Sequence, residues 1–518
     1  MSDPFGSSRP SVVTDCPVDV EADVVVIGSG MGGGTLAYAL RDSGARVLII
    51  EQGDFLPREL ENWSRKAVHL HGRYKNSATW YDSRGNGFVP GNYHYVGGST
   101  KLYGATLPRF REHDFDAVQH VDGLSPAWPI SYDDLEPYYA VAERIFWVHG
   151  NKGEDPTDPP RSTDFPYPAV PYEPTVGSFV DHARQQGLHP FALPQAIDIR
   201  PGGRCVRCAT CDAFPCMLDA KGDADVAAVR PAIASPNVKL LTRTEVTRLE
   251  TDSSGRRVAV AHATCRGNPI RIRGARFVVA AGAVNSAALL LRSASETHPQ
   301  GLANSSDQVG RNYMAHITTF LLAIDAIHTN KDVYTKTVGM NDWYAAGPTN
   351  KYPLGNVQGL GKLRGEMVKR ARKWIPMSIL DTVTRRTLDL FLQTEDLPLP
   401  DSRVRLNSAG DIVLSRVQTN LAANDELITR MTEVARRAGY AKVLHQRLGV
   451  EATSHQCGTA RMGTDPETSV VDSYCKAHDL DNMWIVDSSP FPSSAAVNPA
   501  LTVAALALRV AENGQLTA

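Results

Sequence analysis

The residues with the clearest chemical potential lie at the start, in the middle and near the end of the chain. Near the start, V-V-V-I-G-S-G-M-G-G-G sets Gly28, Gly30 and Gly33 at G-x-G-x-x-G spacing. Gly28 permits a tight turn, Gly30 lets the backbone approach a pyrophosphate, and Gly33 allows close packing of helix on strand. The helix that follows would turn free N–H groups and its positive end towards the phosphates. Glu51, 18 residues after Gly33, ends the next strand and can accept hydrogen bonds from a ribose diol, which favours FAD or NAD over NADP. In the middle, Cys205, Cys208, Cys211 and Cys216 follow C-x2-C-x2-C-x4-C. That spacing is open to zinc, to an iron–sulfur cluster or to a loop without metal, and the metal-free loop is the expectation. Near the end, His455 sits in the polar stretch S-H-Q-C-G-T-A-R-M-G, and Asn498 precedes P-A-L-T. A histidine in such a loop is more often structural than reactive. Asn498 reads first as a helix cap.

The elements that would position these groups are α/β in pattern. Strand Val24–Ile27, a helix to about residue 42 and strand Val47–Ile50 carry the fingerprint. Strands around 238–242, 256–263 and 276–281 form a second stretch, and 483–486 followed by an apolar helix from Pro499 forms a third. In the second, T-R-T-E-V-T-R-L, centred on Val246, could set backbone groups against an adenine, and A-A-G-A around Ala281 could pass close to a cofactor. Asn498 at N-cap and Pro499 at N1 would start the last helix. Its nearly all-round apolar character predicts burial, so its positive end must meet something polar, and a flavin pyrimidine ring fits. Residues 150–175 hold seven prolines and read as an extended connector. Residues 362–373 form a basic cluster that reads as a solvated helix face.

Composition narrows the class. The 518 residues carry a formal net charge of −2, 42% apolar and 21% charged content, which suits a large globular protein and not a nucleic-acid binder. No apolar run reaches the ~20 residues of a membrane span. The first twenty residues are polar and contain Pro4, Pro10 and Pro17, so no secretory signal is expected and a cytoplasmic location is. Oligomeric state is left open.

Taken together, the fingerprint, G-G-S-T-K-L-Y-G-A-T-L-P-R at 97–109, V-G-R-N-Y-M-A-H at 309–316 and both C-terminal motifs resemble the glucose–methanol–choline (GMC) oxidoreductases over nearly the whole chain. Within that family the resemblance runs to pyranose oxidases, and most to bacterial pyranose-oxidase-like enzymes acting at carbon 3 of O- and C-glycosides. It implies an α/β fold in which a Rossmann-like FAD-binding domain (12–110, 225–310 and 450–518) is interleaved with an α+β substrate-binding domain on an antiparallel sheet (111–224 and 311–449). It implies that His455 and Asn498 face the flavin as catalytic residues. Gly97, Gly98, Ser99 and Thr100 would line the ring system, and Met31, Asp487, Pro499 and Leu501 would complete the cofactor site. The position of the histidine that bonds covalently to FAD in pyranose and choline oxidases falls on Leu102, which implies non-covalent FAD. The implied reaction oxidises a secondary hydroxyl, at carbon 3 or 2, of a sugar or glycoside, with dioxygen or a quinone as electron acceptor. Gln393 and Thr394 are candidates for binding sugar hydroxyls. The alternatives are a sterol or long-chain alcohol oxidase and an electron-transferring dehydrogenase subunit that uses the cysteine cluster.

Overall fold

A computed structural model describes residues 5, 11–369, 371–451 and 454–517. The run of β-branched residues before the fingerprint forms strand β1, Asp19–Ile27, whose last four residues are buried on both faces. Helix α1, Met31–Leu40, follows the glycine turn, and strand β2, Val47–Ile50, returns parallel to β1. Helix α2 spans Tyr132–Ile145, opened by a Ser131–Asp134 capping box. Strands β3, Val238–Leu241, β4, Thr244–Thr251, β5, Val258–Cys265, and β6, Asn268–Val279, complete the first half. The order is β3–β2–β1–β6–β5–β4, parallel up to β6 and antiparallel beyond it.

The chain then builds a second sheet from β7, Ile317–Ile324, β8, Val338–Met340, β9, Asn356–Gly359, and β10, Thr387–Thr394. Helix α3, Leu421–Arg437, and strand β11, Lys442–Arg447, follow. The order β11–β7–β10–β9–β8 is antiparallel throughout and ends on the two-residue strand Phe191–Ala192. Strand alternation divides this sheet's faces. Leu388, Leu390 and Leu392 share a buried apolar cluster with Leu427, Met431 and Val434 of α3. Asp389, Phe391 and Gln393 point the other way, together with Asn356 and Gln358 across the β9–β10 register.

Finally, strand β12, Met483–Ile485, returns to the first sheet and pairs parallel with the C-terminal end of β6. Helix α4, Ala500–Glu512, is buried over most of its length between α1 and α2. Segments from the start, middle and end of the chain thus share one sheet, with a second antiparallel sheet formed from the intervals. Helix α2 falls in the stretch assigned to the substrate unit, yet Tyr132, Leu135 and Tyr139 join the larger core.

Two local expectations are revised, and one covalent link is added. The basic cluster is not simply a solvated face: Lys362 is buried and pairs with Asp389 at 2.8 Å. Asn498 is not a cap. Pro499 occupies the N-cap position, and the helix start has no side-chain cap. Cys16 and Cys265, 249 residues apart, form a disulfide that ties the N-terminal segment to the end of β5. Such cross-links are commonest in proteins of oxidising compartments. No helix among the described residues is long and apolar enough to cross a membrane.

Candidate active site

The glycine turn is built for close approach. Gly28 has φ +106°, and a Cβ there would stand 2.3 Å from the Ala280 carbonyl oxygen. A Cβ on Gly33 would stand 2.0 Å from the Gly28 oxygen, whereas one on Gly30 would meet nothing within 4 Å. The turn is therefore closed towards the sheet and open at Gly30, as an entering pyrophosphate requires. The Gly97–Gly98 loop closes over it: Gly97 N–H donates to Ser29 Oγ at 3.1 Å, and a Cβ on Gly98 would lie 3.1 Å from Gly30 Cα. Thr100 Oγ donates to the Gly97 carbonyl, while Ser99 stays exposed at the start of the same short helical turn. Met31, at the first turn of α1, is buried.

Glu51 ends its strand beside this turn. Its carboxylate accepts from Ser29 N–H and Oγ–H and from Gly53 N–H, and burial raises its pKa. The Glu51 carbonyl accepts from Thr244 N–H, which brings the start of β4, and so Val246, to the same edge. Ala281 N–H donates to Ser286 Oγ. Asp487 is consumed by the protein: its oxygens accept from Gly282 N–H, Ser286 Oγ, and both Ser489 N–H and Oγ. It ties β12 to the β6–helix turn. Leu102 is buried with Leu56, Val68, Tyr74 and Phe214.

His455 and Asn498, 43 residues apart, meet with Asn498 Nδ2 at 3.2 Å from His455 Nε2. Two backbone ladders cause this. Met314 and Cys457 exchange an antiparallel pair of hydrogen bonds, and continuing that register by two residues sets His316 opposite His455. Gly458, Ala460 and Met462 then donate to the carbonyls of Ser488, Ser489 and Pro490, which fixes the histidine loop against the segment leading to Asn498. His455 itself has φ +58°, an uncommon conformation for a residue with a side chain.

The surrounding wall is polar and directional. His316 Nδ1 lies 3.0 Å from His455 Nδ1, and His316 Nε2 lies 3.2 Å from the Ser494 carbonyl. Gln393 Nε2 is 3.1 Å from His316 Nδ1, and its Oε1 accepts from Gln358 Nε2. Gln358 Nε2 also donates to Asn498 Oδ1 at 2.5 Å, while Gln358 Oε1 is buried without a partner. A sliver of His455 stays accessible, but burial of its ring, helped by the fields of His316 and Lys336, holds its pKa well below the ordinary 6.5. Burial likewise pushes His316 down to about 4.

The arrangement brings together His455, Asn498 and Gln393. Thr394 goes elsewhere: strand alternation turns it to α3, where it donates to the Leu354 carbonyl and accepts from Asn424 Nδ2. Sequence reasoning gave no role to His316 or Gln358. His316 closes the 309–316 motif, and Gln393 stands in T-L-D-L-F-L-Q-T, whose alternation marks a two-faced strand. Gln358 lies in the short N-V-Q-G strand, where such a signal is weak. Among the described residues no three His, Cys, Asp or Glu side chains are grouped as a metal site would need. Cys205, Cys208, Cys211 and Cys216 are free thiols. Cys211 and Asp212 line a small cleft, where Asp212 pairs with Lys336 at 3.0 Å.

The sequence profile described as GMC oxidoreductase matches residues 88–318 and 411–507, and one described as an NAD(P)-binding Rossmann-like domain matches 26–82. The chain is 33% identical to paromamine 6'-oxidase of Streptomyces fradiae, over 95% of this chain and 90% of that protein. It is 27% identical to the fructose dehydrogenase large subunit of Gluconobacter japonicus, over 95% of this chain and 97% of that protein. Among solved structures, pyridoxine 4-oxidase from Mesorbium loti shares the fold with a TM-score of 0.67 at 21% identity, over 95% of this chain and 99% of that one. With fold, cofactor turn and paired C-terminal motifs in agreement, the chain belongs to the GMC oxidoreductase family.

Proposed function

We propose that the protein oxidises a secondary hydroxyl, at carbon 3 or 2, of a pyranose sugar or of an O- or C-glycoside to a keto-sugar, using non-covalently bound FAD. The observation that carries this reading is the meeting of a neutral His455 with Asn498 inside a wall of carboxamides. The Gly28–Gly33 turn and the 97–100 loop over it would hold FAD, which would supply a hydride acceptor there, with dioxygen or a quinone-type compound as the final acceptor. His455 Nε2 takes the hydroxyl proton, and Asn498 holds the same oxygen through its amide. Gln358 Oε1, buried and unpartnered, receives a neighbouring hydroxyl of the substrate. Val246, Ala281 and the first turn of α4 at Pro499 and Leu501 complete the cofactor's surroundings, and Leu102 offers it no bonding nitrogen.

The carboxamide wall favours a polyol over a sterol or long-chain alcohol, because unpaired buried amides penalise an apolar guest. The relatives named for paromamine and fructose support the same class. Anaerobic bleaching of the flavin by a panel of monosaccharides, O- and C-glycosides, amino sugars and sterols, followed by identification of the oxidised carbon, tests the proposal. Bleaching by sugars with a ketone at carbon 3 or 2 is expected. Bleaching by sterols alone, or an aldehyde at carbon 6, overturns it.

A further inference from the structure

The hydrogen bonds around His455 contain one group whose polarity cannot reverse. A backbone carbonyl only accepts, so the Ser494 oxygen, 3.2 Å from His316 Nε2, requires a proton on that nitrogen. Burial keeps His316 neutral near pH 7, its pKa pushed down to about 4 with Glu395 and Arg416 as its charged neighbours. A neutral imidazole with Nε2–H has a bare lone pair on Nδ1. That lone pair stands 3.0 Å from His455 Nδ1. Without a proton between them two lone pairs would face each other, so the proton lies on His455 Nδ1.

We infer that His316 is a positioning residue that fixes His455 as the Nδ1–H tautomer and so aims the lone pair of Nε2 at Asn498 and the substrate oxygen. The bonds of Asn498 and Gln358 agree in direction, while Gln393 Nε2, also 3.4 Å from His455 Nδ1, makes only a long contact there. Asn498 Nδ2 donates to His455 Nε2 at 3.2 Å, and Asn498 Oδ1 is left to accept from Gln358 Nε2 at 2.5 Å. Gln358 Nε2 also donates to Gln393 Oε1, so the Gln393 amide nitrogen faces His316 Nδ1 at 3.1 Å as a second donor. Reversing every member would set the His316 Nε2 lone pair against the Ser494 carbonyl. The chain of bonds therefore has one direction, read from a single carbonyl. The tautomer concerns the resting protein; its catalytic consequence rests on the proposed role of His455 as base.

Holoenzyme labelled with [15N]histidine, its His455 signals assigned by their loss in His455→Gln, reads the tautomer directly. We expect a protonated, pyrrole-type Nδ1 and a bare, pyridine-type Nε2. A protonated Nε2 in the unmodified enzyme overturns the inference, whatever the variants do. His316→Phe keeps a ring but removes the acceptor, and should slow flavin reduction about 10–100-fold while FAD is retained. His316→Asn places an acceptor near the lost Nδ1 and should recover part of that rate. His316→Gln reaches only towards Ser494 and should not. Equal rates for the Asn, Gln and Phe variants also overturn the positioning role. Should His455→Ala reduce its flavin normally, the base assignment falls while the tautomer result stands.

Discussion

In the proposed reaction His455 would act as the base, and its surroundings keep it unprotonated. Burial beside His316, within the field of Lys336, holds its pKa well below 6.5, so the reactive neutral form persists as pH falls through the range where a free histidine would charge. The rate of flavin reduction should therefore stay level between about pH 8 and 6, without the acid limb at ~6.5 of an ordinary imidazole. Stopped-flow pH profiles check this, and a midpoint near 6.5 would count against the enclosed base. His455→Ala should slow flavin reduction by about two to four orders of magnitude with FAD still bound. Asn498→Ala should be impaired less, since in the proposed reaction Asn498 would hold the oxygen without taking the proton. Rapid-reaction measurements on both variants decide the order. At this scale His455 was legible as a candidate and His316 was not, because a histidine's partner 139 residues away leaves no local trace.

Elements decide which side chains can meet. β10 carries Leu388, Leu390 and Leu392 to α3 and Phe391 and Gln393 to the site, so of two adjacent candidates only Gln393 reaches His455. The expected start of α4 placed Asn498 as a cap. The carboxamide instead spans His455 and Gln358, and the helix begins on Pro499, which has no N–H to satisfy. At the fingerprint, local chemistry and structure agree. Gly33→Ala would drive a Cβ to within 2.0 Å of the Gly28 oxygen and push α1 off β1. That variant should purify with little or no flavin, read as visible absorbance per protein, while circular dichroism reports near-native secondary structure. Full flavin content would show that the turn can relax.

The whole molecule is held by closures distant in sequence. β6 pairs with β1 along its length and with β12 at its end, so the first sheet needs both termini of the chain. The Cys16–Cys265 disulfide adds a covalent closure across 249 residues. Cross-links of such long loops contribute about 2–5 kcal/mol. Cys16→Ser should therefore lower the melting temperature by several degrees (~2–4 °C per kcal/mol in larger domains), and mild reduction of the native protein should reproduce the shift. A melting curve indifferent to both would show that the bond is absent in solution. The cysteine cluster offered the stronger sequence signal, yet the disulfide joins two cysteines outside it, because thiols pair by proximity in the fold and not by spacing in the chain.

By itself the sequence determined the chemistry that short stretches can encode: the glycine turn, the acidic end of β2, the buried C-terminal helix and the presence of His455 and Asn498. These follow from steric and hydrogen-bonding demands within a few residues. Only the tertiary structure decided that Asn498 serves His455 and not its own helix. It also showed that His316 and Gln358 join them, that Thr394 turns away to α3, and that the Asp487 carboxylate bonds to its own protein neighbours. Those outcomes depend on register between strands and on carbonyls hundreds of residues away, where a shift of one position would turn every side chain to the other face.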